Sequence, residues 1–240
     1  MAKRIGVDIG GTFTDLLYYD DESNTYIVEK VPTVPDGPEQ GCLNAIKQAV
    51  SNEQLKQSEY FLHGTTVGIN ALLERRGAKV GLLATSGFRD ILEIRRGDRA
   101  EMYNLIWTPP PPIVPRHLRL PITERMLADG SIHIELKEED VVKALETFNE
   151  EGVDSIAVTY LNAYVNPEHE LRSEAILREA GFTGAISLSH QVSGEHREYE
   201  RTTTTVVDAF VRNRMRGYMQ ALEDDLKSQG FSGQCLITRS

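Results

Sequence analysis

DIGGTFTD, residues 8–15, follows a short apolar run at 5–7 near the start of the chain. Side-chain character alternates along 4–9, as in a strand. Gly10 and Gly11 permit a tight reversal, and residues 12–19 have the β-branched and aromatic content of a returning strand. Backbone N–H groups in so small a turn can face an anion, because no Cβ blocks the approach. Thr12 and Thr14 add hydroxyl donors. Asp8 and Asp15 place carboxylates at the rim, where they can hold Mg2+ through water. A solvated hairpin accounts for the Gly-Gly turn alone. Glycines, hydroxyls and acids together are the parts of a phosphate–metal site. A Walker P-loop is excluded, because no GK[ST] follows and the glycines lead into a strand.

The 240 residues suffice for one large domain or two small ones. An apolar content of 40% with 26% charged residues places the chain among globular proteins. A net charge of −10 argues against non-specific binding to nucleic acid or to an anionic membrane. Cys42 and Cys235 are far apart and lack CxxC spacing, so neither a zinc site nor a disulfide framework is indicated. No run approaches eighteen apolar residues, and Asp8 interrupts the apolar stretch after the basic start. The expectation is a cytoplasmic protein with free thiols.

Strands are expected at 4–9, 12–19 and 26–31, with a turn at 20–24. Pro32, Pro35 and Pro38 make a rigid loop before a helix at 41–50. A short strand at 60–63 precedes a helix at 65–75, which Gly77 stops. The apolar run 80–85 reads as a buried strand, followed by a helix at 88–94. Four consecutive prolines make 108–115 a rigid connector. Runs 122–126 and 132–136 flank Ala128-Asp129-Gly130, a hairpin signal. A helix at 138–151, a strand at 155–161, a helix at 168–180 and a strand at 185–189 follow. That order implies parallel pairing and an α/β fold. A long helical pattern spans about 198–229, and QCLIT, 234–238, reads as a strand with nothing to close it. An unclosed edge is a liability, so the chain is expected to be the first part of a longer polypeptide.

Three further segments carry chemistry-bearing residues. HGTTVGIN, 63–70, puts His63 at a strand end and Thr65 and Thr66 where a helix cap would sit. That arrangement suits structural capping or an anion site in which His63 donates a hydrogen bond or a proton. SGFRDILEIRRGDR, 86–99, crowds four arginines and three acids together. It reads as a solvated charged face, or as a loop that binds an anionic or amide group bidentately. EHREYERTTTT, 195–205, opens the long helix with a β-branched run that is poor for a helix in isolation. Tertiary contacts must hold it.

DIGGTFTD resembles the first phosphate motif of the actin–hexokinase ATPase superfamily. Five blocks in order, VDIGGTFTD, HGTTVGINALLERRGAKVGLLATSGFRDILEI, TPPPPIVPR, TYLNAYVNPEHE and REYERTTTTVVDAF, resemble the ATP-dependent hydantoinase/oxoprolinase family. That family also takes in lactamases and the ATP-binding subunit of acetone-type carboxylases. The resemblance implies an α/β, actin/hexokinase-like (ribonuclease H-like) fold with a mixed sheet and flanking helices. It implies a hydantoinase/oxoprolinase-type region over 1–190 and the start of the main A-type domain at 191–240. It further implies an enzyme that uses ATP and Mg2+ to phosphorylate a cyclic amide oxygen, with ring opening completed by a B-type subunit or domain in a hetero-oligomer. Gly10, Gly11, Thr12 and Thr14 would bind phosphates. Asp8 and Asp15 would position Mg2+, and His63, Thr65 and Thr66 would face the carbonyl. Arg89, Asp90, Arg95 and Arg96 are secondary substrate candidates. A second glycine-rich motif and the adenosine segment of the family would lie beyond position 240. Gly194-Glu195-His196 departs from the family pattern, which leaves the substrate open. An ATP-dependent ketone carboxylase subunit and a non-catalytic actin-like nucleotide-binding module are the competing readings.

Overall fold

The structure, a computed structural model, describes residues 2–34, 37–97 and 99–238. Pro35 of the expected rigid loop and Asp98 of the arginine-rich run lie outside the described residues. Strands β1 (Lys3–Ile9), β2 (Phe13–Asp20) and β3 (Thr25–Pro32) precede helices α1 (Pro38–Ala49) and α2 (Asn52–Gln57). Next come β4 (Tyr60–Thr65), α3 (Val67–Leu73), β5 (Val80–Thr85) and the single turn α4 (Ile91–Ile94). Strands β6 (Arg119–Ile122), β7 (Arg125–Met126) and β8 (Ile132–Ile134) lead to α5 (Glu138–Glu150), β9 (Ser155–Thr159) and α6 (Glu168–Glu179). The chain continues through β10 (Ala185–Leu188), α7 (Ser189–Val192), α8 (Glu198–Ser228) and β11 (Gln234–Ile237). It divides into two compact units, Met1–Arg76 with Arg214–Ser240, and Gly77–Asn213. The expected boundary at 190–191 falls within α7 of the second unit. Among the described residues no helix is long and apolar enough to cross a membrane.

The first unit holds a mixed sheet in the order β11-β4-β1-β2-β3. β1, β2 and β3 form an antiparallel meander, while β4 runs parallel to β1 and β11 parallel to β4. Alternation decides which side of this sheet is covered. Ile5, Val7, Ile9, Leu16 and Tyr18 are buried, and Asp8, Asp15 and Leu17 between them are exposed. The buried set packs with Cys42, Ala45 and Ile46 of α1 and with Tyr218, Leu222 and Leu226 of α8. Each such aliphatic or aromatic side chain contributes about 1.5–3 kcal/mol when fully buried.

The second unit is a parallel sheet in the order β10-β9-β5-β6, with the β7–β8 hairpin beside it in sequence. β5, β9 and β10 are buried at every residue, as expected for parallel strands covered on both faces. Gly81 lets α5 close onto β5: a Cβ there would stand 2.6 Å from the Phe148 ring.

Several boundaries differ from the sequence expectation. Thr65 is the last residue of β4 rather than the first of a helix, because it pairs with Ile9 in the ladder. The expected helix at 88–94 shrinks to Ile91–Ile94. Ile122 belongs to β6, so the hairpin is only β7 with β8. β6 has no strand pattern in its sequence, because Pro121 interrupts it; the strand lies at a sheet edge, where proline is tolerated. α2 is a six-residue helix with a full capping box, Ser51 and Gln54, which the S-x-x-Q spacing announces.

Candidate functional site

The β1–β2 connection is Gly10-Gly11-Thr12, closed by the Gly10 N–H donating to the Phe13 carbonyl at 3.0 Å. Neither glycine has a positive φ. Glycine at position 10 eases a close approach instead, since a Cβ there would stand 3.2 Å from that carbonyl. Thr33 braces the loop: its hydroxyl donates to Gly10 O at 2.9 Å and its N–H to Thr12 O at 3.0 Å. Among the described residues the N–H groups of Gly11 and Thr12 have no hydrogen-bond partner, and both residues are exposed. Such free amides suit an anion.

A cavity of about 60 Å³ opens beside the turn, lined by Gly10, Gly11, Asn70, Glu74 and Arg214. Asn70 Nδ2 donates to Thr66 Oγ1 at 3.2 Å. Arg214 has no ion pair among the described residues and is the cation nearest the turn in this lining. Sequence reasoning missed both residues. Asn70 sits inside the HGTTVGIN block and was within reach. Arg214 carries no local signal, because α8 returns to the turn from some two hundred residues away.

On the exposed sheet face Asp8 and Asp15 stand directly opposite each other. Like charges in register are unfavourable. Lys30 relieves Asp15 with contacts of 2.8 and 3.2 Å, and Asp8 has no partner among the described residues. Gly64 lies beside Asp8, and a Cβ there would be 3.0 Å from Asp8 Oδ1. The glycine of HGTT therefore keeps the carboxylate clear. Asp8, Asp15, Leu17, Val28, Gly64 and Thr66 line a concavity of about 750 Å³. This donor set is oxygen only, which fits Mg2+ and not a soft metal. No group of three or more His, Cys, Asp or Glu side chains among the described residues makes a metal cage. A cation here would take its remaining ligands from water or phosphate.

Thr14 and His63 point to the opposite, covered face. Thr14 is buried, with its hydroxyl 3.1 Å from that of Thr33. His63 is fully buried, with Nδ1 3.3 Å from the Val7 carbonyl and Nε2 against the Tyr218 hydroxyl. The carbonyl can only accept, so Nδ1 carries the proton and Nε2 accepts from Tyr218. Neither ring nitrogen is open to a substrate in this arrangement. Thr65 Oγ1 accepts the Val67 N–H at 3.2 Å, and Thr66 Oγ1 donates to Ile9 O at 3.2 Å. These two threonines tie α3 to the end of β1.

Burial pushes the His63 pKa down; the Val7 carbonyl and the Asp8 charge oppose that shift without reversing it. Unfolded His63 titrates near 6.5. Below about pH 6.5 the unfolded chain takes up a proton that the folded chain resists, so stability falls with falling pH. His63→Asn should therefore melt lower than wild type at pH 8, through lost packing, yet lose less between pH 6.5 and 5.5. Melting curves with equal acid slopes would show that His63 is not the group responsible.

The second unit sorts the arginine-rich run. Arg116 holds Asp90 bidentately at 2.9 and 3.0 Å, and Arg89 lies 3.9 Å from the same carboxylate. Arg96 donates to Glu200 at 2.8 Å. Arg95 has no ion pair among the described residues. In EHREYERTTTT, Arg201 is fully buried and donates to Ser189 Oγ, Glu195 O and Tyr160 O at 3.1, 2.9 and 2.8 Å, and to Glu198. Glu170, also fully buried, accepts from Tyr160 N, Ser189 Oγ and His190. This block is a structural network at the carboxyl ends of β9 and β10.

The family model described as "Hydantoinase/oxoprolinase N-terminal region" matches residues 4–181. The chain is 36% identical to caprolactamase subunit alpha of Pseudomonas jessenii, over 92% of this chain and 33% of that one. It is also 36% identical to the acetophenone carboxylase gamma subunit of Aromatoleum aromaticum, over 98% of this chain and 34% of that one. The crystal structure of the ATP-dependent caprolactamase from Pseudomonas jessenii superposes with a TM-score of 0.88 at 34% identity, covering 98% of this chain and 35% of that one. The chain thus spans about a third of the length of these relatives. Its fold is the α/β, actin/hexokinase-like class expected from DIGGTFTD.

Proposed function

We propose that this chain, which belongs to the hydantoinase/oxoprolinase family, supplies the first phosphate-binding elements of an ATP-dependent enzyme that opens cyclic amides. The observation that carries this reading is local. An unpartnered carboxylate, Asp8, ends the same strand that leads into two unpartnered amides, Gly11 and Thr12. ATP, when bound, would supply a phosphoryl group to the amide oxygen with ADP released, which activates the carbonyl carbon so that attack by water can end in cleavage of the ring C–N bond and loss of phosphate. The Gly11 and Thr12 amides, the Thr12 hydroxyl and the Arg214 guanidinium would hold phosphate oxygens. Asp8, with Asp15 behind it, would hold Mg2+ or its waters and offset phosphate charge. Gly64 leaves the room this needs. His63, Thr14, Thr65 and Thr66 act as positioning residues for the strand and loop. Arg214→Gln should weaken nucleotide binding about tenfold, the effect of one charge-assisted hydrogen bond. Its melting temperature should not move, because no ion pair is lost. Unchanged affinity by calorimetry would remove Arg214 from the site.

The names of two relatives, caprolactamase subunit alpha and acetophenone carboxylase gamma subunit, support a multi-subunit enzyme. We place hydrolysis of the activated amide on a B-type partner. The second of these relatives also favours a ketone carboxylase as the alternative. ADP release from the intact enzyme, screened with lactams, hydantoins, 5-oxoproline and ketones, decides between them. Stimulation by a cyclic amide without bicarbonate supports the amide reading. A bicarbonate requirement or AMP formation overturns it, and nucleotide binding with no stimulated turnover would leave a non-catalytic module.

A further inference from the structure

We propose that the loop 101–107 of the second unit is a docking knob for the B-type partner subunit, which receives it in an apolar cleft rimmed by carboxylates. This deepens the multi-subunit reading above and rests on it. The loop lies between α4 and the four prolines 109–112. The Asn104 N–H donates to Glu101 O at 3.2 Å, and the Trp107 N–H to Asn104 O at 3.2 Å. Two consecutive turns result, with Met102-Tyr103 and Leu105-Ile106 at their corners.

Turn corners ordinarily hold Gly, Pro, Asn, Asp or Ser, whose backbone preferences and short polar side chains suit an exposed reversal. All four corners here are large and apolar instead. Met102 is 74% exposed, Tyr103 93%, Leu105 92% and Ile106 88%. Among the described residues no other large apolar side chain is as exposed as Tyr103, Leu105 and Ile106. Apolar residues scattered singly over a surface need no explanation, but four within five positions mark an interaction site. None of the four holds the loop together. Asn104 does that, with Oδ1 accepting the Ile106 N–H at 3.1 Å and Nδ2 donating to Glu101 Oε2 at 2.8 Å. The prolines that follow fix its base. A loop already shaped loses little conformational freedom on docking.

Charge selects the occupant. Arg99, exposed and three residues before Met102, has no ion pair among the described residues, and Arg95 has none either. Unpaired cations beside an apolar knob match carboxylates around an apolar cleft. A two-fold contact with a second copy would bring the cations of two loops together, which disfavours it. A net charge of −10 works against an anionic membrane. Two relatives are named as subunits of larger enzymes, and permanent interfaces between subunits are the more apolar kind.

The test titrates the full-length protein with its B-type subunit by calorimetry. Tyr103→Ala should weaken the complex about tenfold or more, and Leu105→Glu, which places an unpaired charge in the apolar contact, at least about a hundredfold. Arg99→Glu should slow association several-fold at low salt and little at high salt. The variants should melt as wild type does when the partner is absent, because the altered side chains are exposed. An affinity within about threefold of wild type in both Tyr103→Ala and Leu105→Glu overturns this inference alone. A wild-type pair that does not associate removes the multi-subunit reading with it. Three other results would also overturn the inference. Self-association that Leu105→Glu abolishes would assign the loop to a second copy. Wild-type binding to phosphatidylglycerol vesicles that Leu105→Glu abolishes would assign it to a membrane. A lowered melting temperature of the lone full-length variants would place the loop beneath the rest of the same polypeptide.

Discussion

On the proposed function, Asp8→Asn in the intact enzyme should lower substrate-dependent ATP cleavage by about 10²–10³-fold or more, the size of effect seen when a group stabilising developing charge is lost, and the protein should melt no lower than wild type. The stability half of this expectation comes from the sheet. Asp8 and Asp15 oppose each other in register, and only Asp15 has a cation, Lys30. Neutralising Asp8 relieves a repulsion and removes no bond, since Asp8 has none among the described residues. A group that contributes nothing to the fold, stands against a glycine that could not carry a Cβ comfortably, and ends the strand before two free amides is placed for a ligand. Turnover within about threefold of wild type, roughly 0.65 kcal/mol in barrier, would remove Asp8 from the phosphate–metal role. Asp15→Asn should be milder, because Lys30 already balances that charge.

Arg201→Met unfolds the second unit more easily by about 3–5 kcal/mol, the cost of breaking a buried charge network by deleting one partner. Arg201 is fully buried and its donors reach Ser189, Glu195, Tyr160 and Glu198. Without it the Glu195 and Tyr160 carbonyls lose the guanidinium, and Tyr160 O keeps only the Ala163 N–H at 3.4 Å. Glu198, whose carboxyl is already pushed up by burial and held back chiefly by Arg201, loses that restraint too. Arg201→Lys should recover only part of the loss, since one ammonium cannot satisfy a set of acceptors arranged around a planar fork. Urea denaturation measures both variants. A loss below about 1 kcal/mol would mean that the network is incidental. A normally stable Arg201→Met protein with depressed turnover would reassign the block to a site.

Period and composition determined a good part of this chain without any structure. The β1–β2 hairpin, the buried runs of β5 and β9, and helices α5, α6 and α8 all show in patterns that depend on neighbours within one element. The DIGGTFTD block likewise declares Asp8, Gly10, Gly11 and Thr12 as a group, because the loop that joins them is three residues long. Tertiary structure alone decided the rest. A strand shows that Thr14 and Asp15, or His63 and Gly64, face opposite ways; it does not show which way is covered. That depends on α1 and the far end of α8 packing against Ile5, Val7 and Leu16, and it turned His63 and Thr14 inward while leaving Asp8 outside. Arg214 lines the cavity beside the Gly-Gly turn only because distant segments meet there. Side-chain parity is a property of one strand, but burial and charge pairing are properties of contacts between segments far apart in the chain.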